Sequence, residues 1–198
     1  MKKRYTHILG IDEAGRGPLA GPLYVGAVLL PLSMHSFPFP LRDSKQMSSQ
    51  QRKEVFAWIR TSPLLSYTFS YVSAKRIDTE GISRSVSRAA LRCVERIPQK
   101  KHANYHLITD AGIRVEGYTH DSFPRADETI RAVSLASVVA KEMRDRYMER
   151  IHKAYPQYGF DHHKGYGTAH HQRMIQRHGI CALHRLTFTR KFHTLSKT

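Results

Sequence analysis

The chain reads as an α/β fold built on a mixed β-sheet. Three features point there. Short apolar runs end on carboxylates at Asp12 and Asp110, stretches of helical spacing separate the runs, and the order is strands, helices, strand, helix. At 198 residues the chain is long enough for one domain with a sizeable core and an appendage. Residues 1–155 are expected to form the core. Residues 156–198 are expected to form a C-terminal helical segment that contributes to substrate binding, within one continuous domain.

The first strand is the run Ile8-Leu9-Gly10-Ile11, which ends on Asp12-Glu13 and turns at Gly15-Arg16-Gly17. Carboxylates at the end of a buried strand are costly unless a positive group meets them, so Arg16, a divalent metal ion or both are the expected partners. Residues 23–30 read as a second strand, paired with the first as a hairpin. Phe37-Pro38-Phe39-Pro40 breaks regular structure. Ser48 is placed to cap a helix running to residue 60, with Val55, Phe56 and Ile59 on its apolar face. Residues 67–72 alternate as a strand. Ile82, Val86, Ala90, Cys93 and Ile97 mark a helix. Residues 105–110 form another strand ending on a carboxylate, and 119–125 a short strand before Ala126-Asp127-Glu128. A long helix over 132–154 carries Leu135, Ala136, Val139, Met143, Tyr147 and Ile151, and Pro156 stops it. A turn at Lys164-Gly165-Tyr166-Gly167-Thr168 precedes one more helix near 169–178.

Lys plus Arg total 32 against 16 acids, a formal charge of +16, so a polyanion is the expected partner: nucleic acid first, an anionic membrane surface second. No apolar stretch approaches the length of a membrane span, and Asp12, Glu13 and Arg16 interrupt what would have to be a signal peptide. Cys93 and Cys181 lie far apart and form no metal-binding pair, which suits reduced thiols in the cytoplasm. A monomer is expected. Arg84, Arg88, Arg92 and Arg96 form a basic stripe that reads equally as a solvated face or a phosphate track. His162, His163, His170 and His171 have no matching cysteines and read as ordinary surface histidines, while Cys93 reads as buried.

Asp12 and Asp110 end strands, Asp127 follows one, and Glu13 adds a fourth carboxylate. Sites in α/β sheets collect at strand ends. Oxygen ligands without a Cys/His set favour Mg²⁺ or Mn²⁺ over zinc. On so basic a chain this points to phosphodiester chemistry, with two cations roughly 4 Å apart activating water and stabilising the leaving oxygen.

The motifs then become specific. Gly10-Ile11-Asp12-Glu13-Ala14-Gly15-Arg16-Gly17-Pro18-Leu19-Ala20-Gly21-Pro22 resembles the opening motif of the ribonuclease HII family. Asp43-Ser44-Lys45-Gln46-Met47-Ser48 is similar to its Asp-Ser-Lys segment. Ala126-Asp127 with Ser134-Leu135-Ala136-Ser137-Val138-Val139-Ala140-Lys141 and Arg144-Asp145-Arg146 resembles its long helix. Tyr155-Pro156-Gln157-Tyr158-Gly159-Phe160 and His163-Lys164-Gly165-Tyr166-Gly167-Thr168 resemble its C-terminal signature. The resemblance implies an RNase H-like fold and cleavage of the RNA strand of RNA–DNA hybrids. It also implies cutting 5′ of single ribonucleotides in duplex DNA, leaving 5′-phosphates. It places the metal-binding acids on Asp12, Glu13, Asp110 and Asp127, with Asp127 preferred over Glu128 by its spacing to Ser134. It implies substrate contacts from Gly15, Arg16, Gly17, Ser44, Lys45, Lys164 and Tyr166, the last packing on a sugar at the cut. Arg16 pairing only with Glu13, Lys45 as a solvated lysine and Tyr166 as a core residue are the plainer readings. The sister ribonuclease HIII family carries an extra N-terminal domain, whereas the first motif here begins within ten residues of Met1. A non-catalytic nucleic-acid-binding protein and an integrase-like nuclease are the other rivals. Departures from the family pattern are Gly81, Ala111 before Gly112, and Glu142.

Overall fold

The computed structural model describes residues 5–39, 47–98 and 103–193, with side chains described to residue 190. Its sheet has strands β1 (His7–Ala14), β2 (Leu23–Pro31), β3 (Ser66–Val72), β4 (Tyr105–Asp110) and β5 (Asp121–Phe123). They lie in the order β3-β2-β1-β4-β5. β1 pairs antiparallel with β2 and parallel with β4, so the expected hairpin and mixed sheet are both present. The helices are α1 (Ser49–Thr61), α2 (Ala74–Glu80), α3 (Ile82–Arg96), α4 (Ala126–Thr129), α5 (Arg131–His152), α6 (Phe160–His163), α7 (Ala169–His178) and α8 (Leu186–His193), with a 3₁₀ turn at Pro156–Tyr158.

Strand alternation divides the core in two. Leu9, Ile11, Val25, Ala27 and Leu29 pack on one face against Val86, Ala89, Ala90, Cys93 and Val94 of α3. Val28 and Leu30 pack on the other against Val55, Phe56 and Ile59 of α1 and Leu135, Ala136 and Val139 of α5. Ser48 starts α1 with a capping box, its hydroxyl accepting from the Gln51 N–H while the Gln51 side chain accepts from the Ser48 N–H.

Several elements depart from the sequence reading. α2 was not expected; it is only seven residues long, too short to show a helical period, and Ser73 caps it. The strand expected over 119–125 contracts to three residues and is followed by Arg125 in a left-handed conformation, φ 56°. The long helix starts at Arg131 after the separate turn of α4. In its second half Glu142, Arg144 and Asp145 are buried although their types predict exposure. That stretch runs past the sheet and meets Arg52 of α1, 3.7 Å from Glu142 and 3.4 Å from Asp145. Past residue 155, α6 and α8 add to the helix expected over 169–178.

α5 lies close on β1 and β2 at two glycines. A Cβ on Gly10 would lie 2.2 Å from the Ala132 carbonyl carbon, and one on Gly26 would lie 2.3 Å from the Ala136 oxygen. Helix backbone therefore rests on strand backbone. A Cβ on Gly17, by contrast, would meet nothing within 4 Å. Gly10→Ala should lower unfolding free energy by roughly 1–3 kcal/mol, the usual cost of overpacking. Gly17→Ala should leave it unchanged. Urea denaturation of both variants checks this, and equal stability for Gly10→Ala and wild type would refute the contact.

Candidate active site

Asp12 faces α5 from β1, two residues beyond Gly10. In the β1–β4 register Ile11 stands beside Thr109, so Asp12 and Asp110 come next on adjacent parallel strands. Asp12 is buried, accepting from the Glu13 N–H at 2.7 Å and bonded to Ser137 of α5. Burial first, then the neighbouring Glu13 and Asp110 carboxylates, push its pKa well above the ordinary carboxylate range. Burial also raises Glu13, against the opposing pull of Arg16. The two carboxylates are thus held where negative charge is poorly tolerated.

Asp110 accepts from the Ala126 N–H at 3.0 Å, which ties α4 to the end of β4. Asp127, the next residue, is buried, whereas Glu128 is exposed and lies 3.8 Å from Arg125. Asp127 also borders an open pocket of about 350 Å³ with Ser134 and Arg131.

Arg16 donates to Glu13 at 2.5 Å and to the Gly112 carbonyl at 3.2 Å, so the plainer pairing for Arg16 is present. Among the described residues no three His, Cys, Asp or Glu side chains already converge to hold a metal ion. Glu13 is drawn aside by Arg16 and Asp110 by α4, which accounts for the open arrangement. The donor set still fits a hard divalent cation. Its atoms are carboxylate oxygens, burial and the nearby Asp110 raise both Asp12 and Glu13, and Glu13 Oε2 is buried with no hydrogen-bond partner.

Gly15 and Gly17 lie in the turn after β1. Gly15 has φ +99°, and a Cβ there would lie 2.3 Å from Arg144 Nε, so only glycine fits. Ser44 and Lys45 lie outside the described residues. Lys164 bonds to Glu149 of α5 at 2.8 Å and to the Asp161 carbonyl. Tyr166 is 43% exposed, so it is no core residue, and its ring lies 5.6 Å from the Arg144 guanidinium. Of the arginine stripe, Arg92 donates to the Tyr71 carbonyl at 2.8 Å and Arg88 pairs with Glu80 at 3.0 Å. Arg84, Arg88 and Arg114 line an open groove of about 760 Å³ that includes Gly112.

The histidines behind Tyr166 overturn one expectation. His171 is fully buried and His163 half-buried, so neither is an ordinary surface residue. The Cys181 N–H donates to His184 Nδ1 at 2.9 Å, which leaves the His184 proton on Nε2. That proton goes to His171 Nε2, 3.1 Å away, and His171 Nδ1–H donates to the Tyr166 carbonyl at 2.9 Å. His163, stacked 4.4 Å from His171, accepts from the Gly165 N–H at 3.1 Å and donates to the Tyr158 carbonyl at 2.7 Å. Three neutral imidazoles thus fasten the Tyr166 turn. His184 was not singled out in sequence; its neighbours there carry no motif that marks it as buried.

Comparison with known proteins bears on all of this. The family model described as Ribonuclease HII matches residues 9–191. The chain is 37% identical over 196 residues to the ribonuclease HII of Ruminiclostridium cellulolyticum, covering 97% of this chain and 73% of that protein. It is 41% identical over 190 residues to the ribonuclease HII of Rhizobium johnstonii, covering 94% and 80%. Among solved structures, the ribonuclease H2 of Pyrococcus horikoshii OT3 superposes with a TM-score of 0.75 at 24% identity, covering 97% of this chain and 100% of that one. Bst-RNase HIII in complex with Mn²⁺ superposes at 0.67 and 19% identity, covering 99% and 72%. These structural likenesses show the shared fold.

Burial lowers the pKa of His171 and of His184 from 6.5 to about 4. The unfolded chain therefore binds protons first as pH falls, so this stability is whole above pH 6.5 and is lost as pH drops toward 4. Asp12 and Glu13, raised in the folded state, act with the opposite sign. A His184→Gln variant isolates the histidines: its Tm, measured by circular dichroism without metal, should fall less than that of wild type between pH 6.5 and 4. Parallel Tm curves would contradict the neutral relay.

Proposed function

Since this chain belongs to the ribonuclease HII family and is a ribonuclease H of type HII, we propose that it cuts RNA–DNA hybrids and also cuts 5′ of single ribonucleotides in duplex DNA, leaving 5′-phosphates. The observation that carries this reading is the buried Asp12, pressed between Glu13 and Asp110 at the ends of neighbouring parallel strands. Asp12, Glu13, Asp110 and Asp127 would hold two divalent cations, Mg²⁺ or Mn²⁺. Bound there, the cations supply Lewis-acid activation of water and neutralise charge at the phosphate. The chain's own part is placement. Asp12 and Asp110 are fixed by adjacent strands, and Asp127 is carried by α4, which the Ala126 N–H locks to Asp110. Arg16 must release Glu13 for that carboxylate to turn toward a cation, which frees its guanidinium for a substrate phosphate.

Recognition of the ribonucleotide cannot depend on the base. We assign it to backbone groups of Gly15-Arg16-Gly17, where small residues allow close approach to a 2′-hydroxyl, and to the exposed ring of Tyr166 on the next sugar. The segment from residue 156 onward contributes through Tyr166 and the histidines behind it. Two free thiols, Cys93 and Cys181, suit a reducing compartment, and we place the enzyme in the cytoplasm. Among the described residues no helix is long and apolar enough to cross a membrane.

The direct test is incubation with Mg²⁺ or Mn²⁺ and a labelled DNA duplex carrying one ribonucleotide, with the cut mapped at nucleotide resolution. Cleavage 5′ of the ribonucleotide is expected, with none on the all-deoxy duplex. Asp110→Asn and Asp127→Asn should each lower kcat by roughly two orders of magnitude or more, since each removes a charged ligand. Near-normal turnover of either variant would remove that residue from the site.

The groove beside Gly112 gives the flanking phosphates a path. Substituting both Arg84 and Arg114 by Ala should make the log–log dependence of affinity on salt shallower by roughly 1–2, about one unit for each phosphate no longer neutralised. An unchanged slope would return this face to the solvent.

A further inference from the structure

Arg185 is fully buried, yet among the described residues no carboxylate pairs with it. Burial brings its pKa down to about 9, still protonated at neutral pH. Its side-chain hydrogen bonds all go to backbone carbonyls, and the nearby Asp78 carboxylate favours its charge without bonding to it. Nη1 donates to the Arg16 carbonyl at 2.8 Å, Nη2 to Gly15 at 2.7 Å and to Gly21 at 2.9 Å, and Nε to Gly21 at 3.0 Å. Its own N–H donates to the Leu19 carbonyl at 2.8 Å. One guanidinium therefore gathers both ends of the turn that follows β1.

The consequence follows from the planar trans peptide, in which the C=O of one residue and the N–H of the next point in opposite directions. No peptide here is cis. With the Gly15 and Arg16 carbonyls turned onto Arg185, the N–H groups of Arg16 and Gly17 must face away from it. Neither N–H has a hydrogen-bond partner among the described residues, and Gly17 is exposed. Arg144 lies beneath Gly15 on the other side and holds the Ala20, Pro22 and Lys164 carbonyls, so the turn cannot relax by rotating there.

We propose that Arg185 is a positioning residue for substrate recognition: by holding the Gly15 and Arg16 carbonyls inward it presents the Arg16 and Gly17 N–H groups to an oxygen of the ribonucleotide. This rests on the reading of Gly15-Arg16-Gly17 given above. Arg185 touches no substrate itself. It is anchored from behind: Asp78 on α2 accepts from the Leu186 and Thr187 N–H groups at 2.8 and 2.9 Å, fixing the start of α8. The Arg185 fork also rests on the Phe188 ring, 5.1 Å from its centroid.

The test compares affinities without metal, so that no cleavage intervenes, for a DNA duplex bearing one ribonucleotide and for its all-deoxy counterpart. Fluorescence anisotropy gives both Kd values for wild type and Arg185→Lys, which keeps the charge but loses the planar fork. The expected result is a loss of ribonucleotide preference of roughly tenfold, the scale of one or two hydrogen bonds. The all-deoxy Kd should stay within about twofold, since phosphate charge sets it. A variant that keeps the preference, or that weakens both duplexes equally, overturns the proposal.

If Arg185→Lys fails to fold by circular dichroism, amide spectra of wild type decide. The Arg16 and Gly17 N–H signals should shift on adding the ribonucleotide duplex and not the all-deoxy one, and unmoved signals overturn the proposal. Asp78→Asn, which weakens the hold on the start of α8, should reduce the preference in the same direction but less. Failure of the recognition reading itself looks different, for wild type would then neither prefer nor cut the ribonucleotide duplex.

Discussion

The backbone of α5 lies directly on β1 and β2 because Gly10 and Gly26 leave no side chain between them. Much of the site depends on that contact. It brings Ser137 within hydrogen-bond reach of Asp12, and α4, which carries Asp127, leads directly into that helix. A helix one side-chain layer higher would leave Asp12 facing a gap that water could fill, and its charge would be tolerated without a cation. Close packing at two glycines thus becomes electrostatic demand at the neighbouring carboxylate.

Buried arginines do a related job at the other end of the turn. Arg144 and Arg185 are both enclosed, and the side-chain hydrogen bonds of both go to backbone carbonyls. Carbonyl partners leave the positive charge behind the turn that follows β1, on the side its carbonyls face. The neutral histidine relay from Cys181 to Tyr166 adds rigidity without adding charge. The C-terminal elements therefore serve the site by holding two turns, 15–22 and 164–168, against each other, joined where Leu19 and Ala20 donate to the Gly165 carbonyl.

The parts legible in sequence were those with strong local signals. β1, β2 and β4 showed as apolar runs, α1 announced itself through Ser48, and the arginine and cysteine placements on α3 followed from helical period. Asp12 and Asp110 could be placed at strand ends because each closes such a run; Asp127 was placed after a short expected strand and lies in α4, beyond the end of β5. What stayed hidden depends on contacts between distant segments. Arg185 sits among residues of no apparent period, and its partners are 164 to 170 positions away. Burial of Glu142, Arg144 and Asp145 contradicts their residue types and arises only because α1 and the C-terminal segment cover that part of α5. Histidines read as solvated because nothing local shows that imidazoles will bond to one another.

The central claim is that acids from β1, β4 and α4 hold cations as one unit. The most direct measurement is Mn²⁺ binding by calorimetry on wild type, Asp12→Asn and Asp127→Asn, with no nucleic acid present. The account predicts that either substitution weakens Mn²⁺ binding by roughly tenfold or more, as expected when a charged ligand is removed from a shared site. Binding by Asp127→Asn that matches wild type, with only Asp12→Asn impaired, would contradict it.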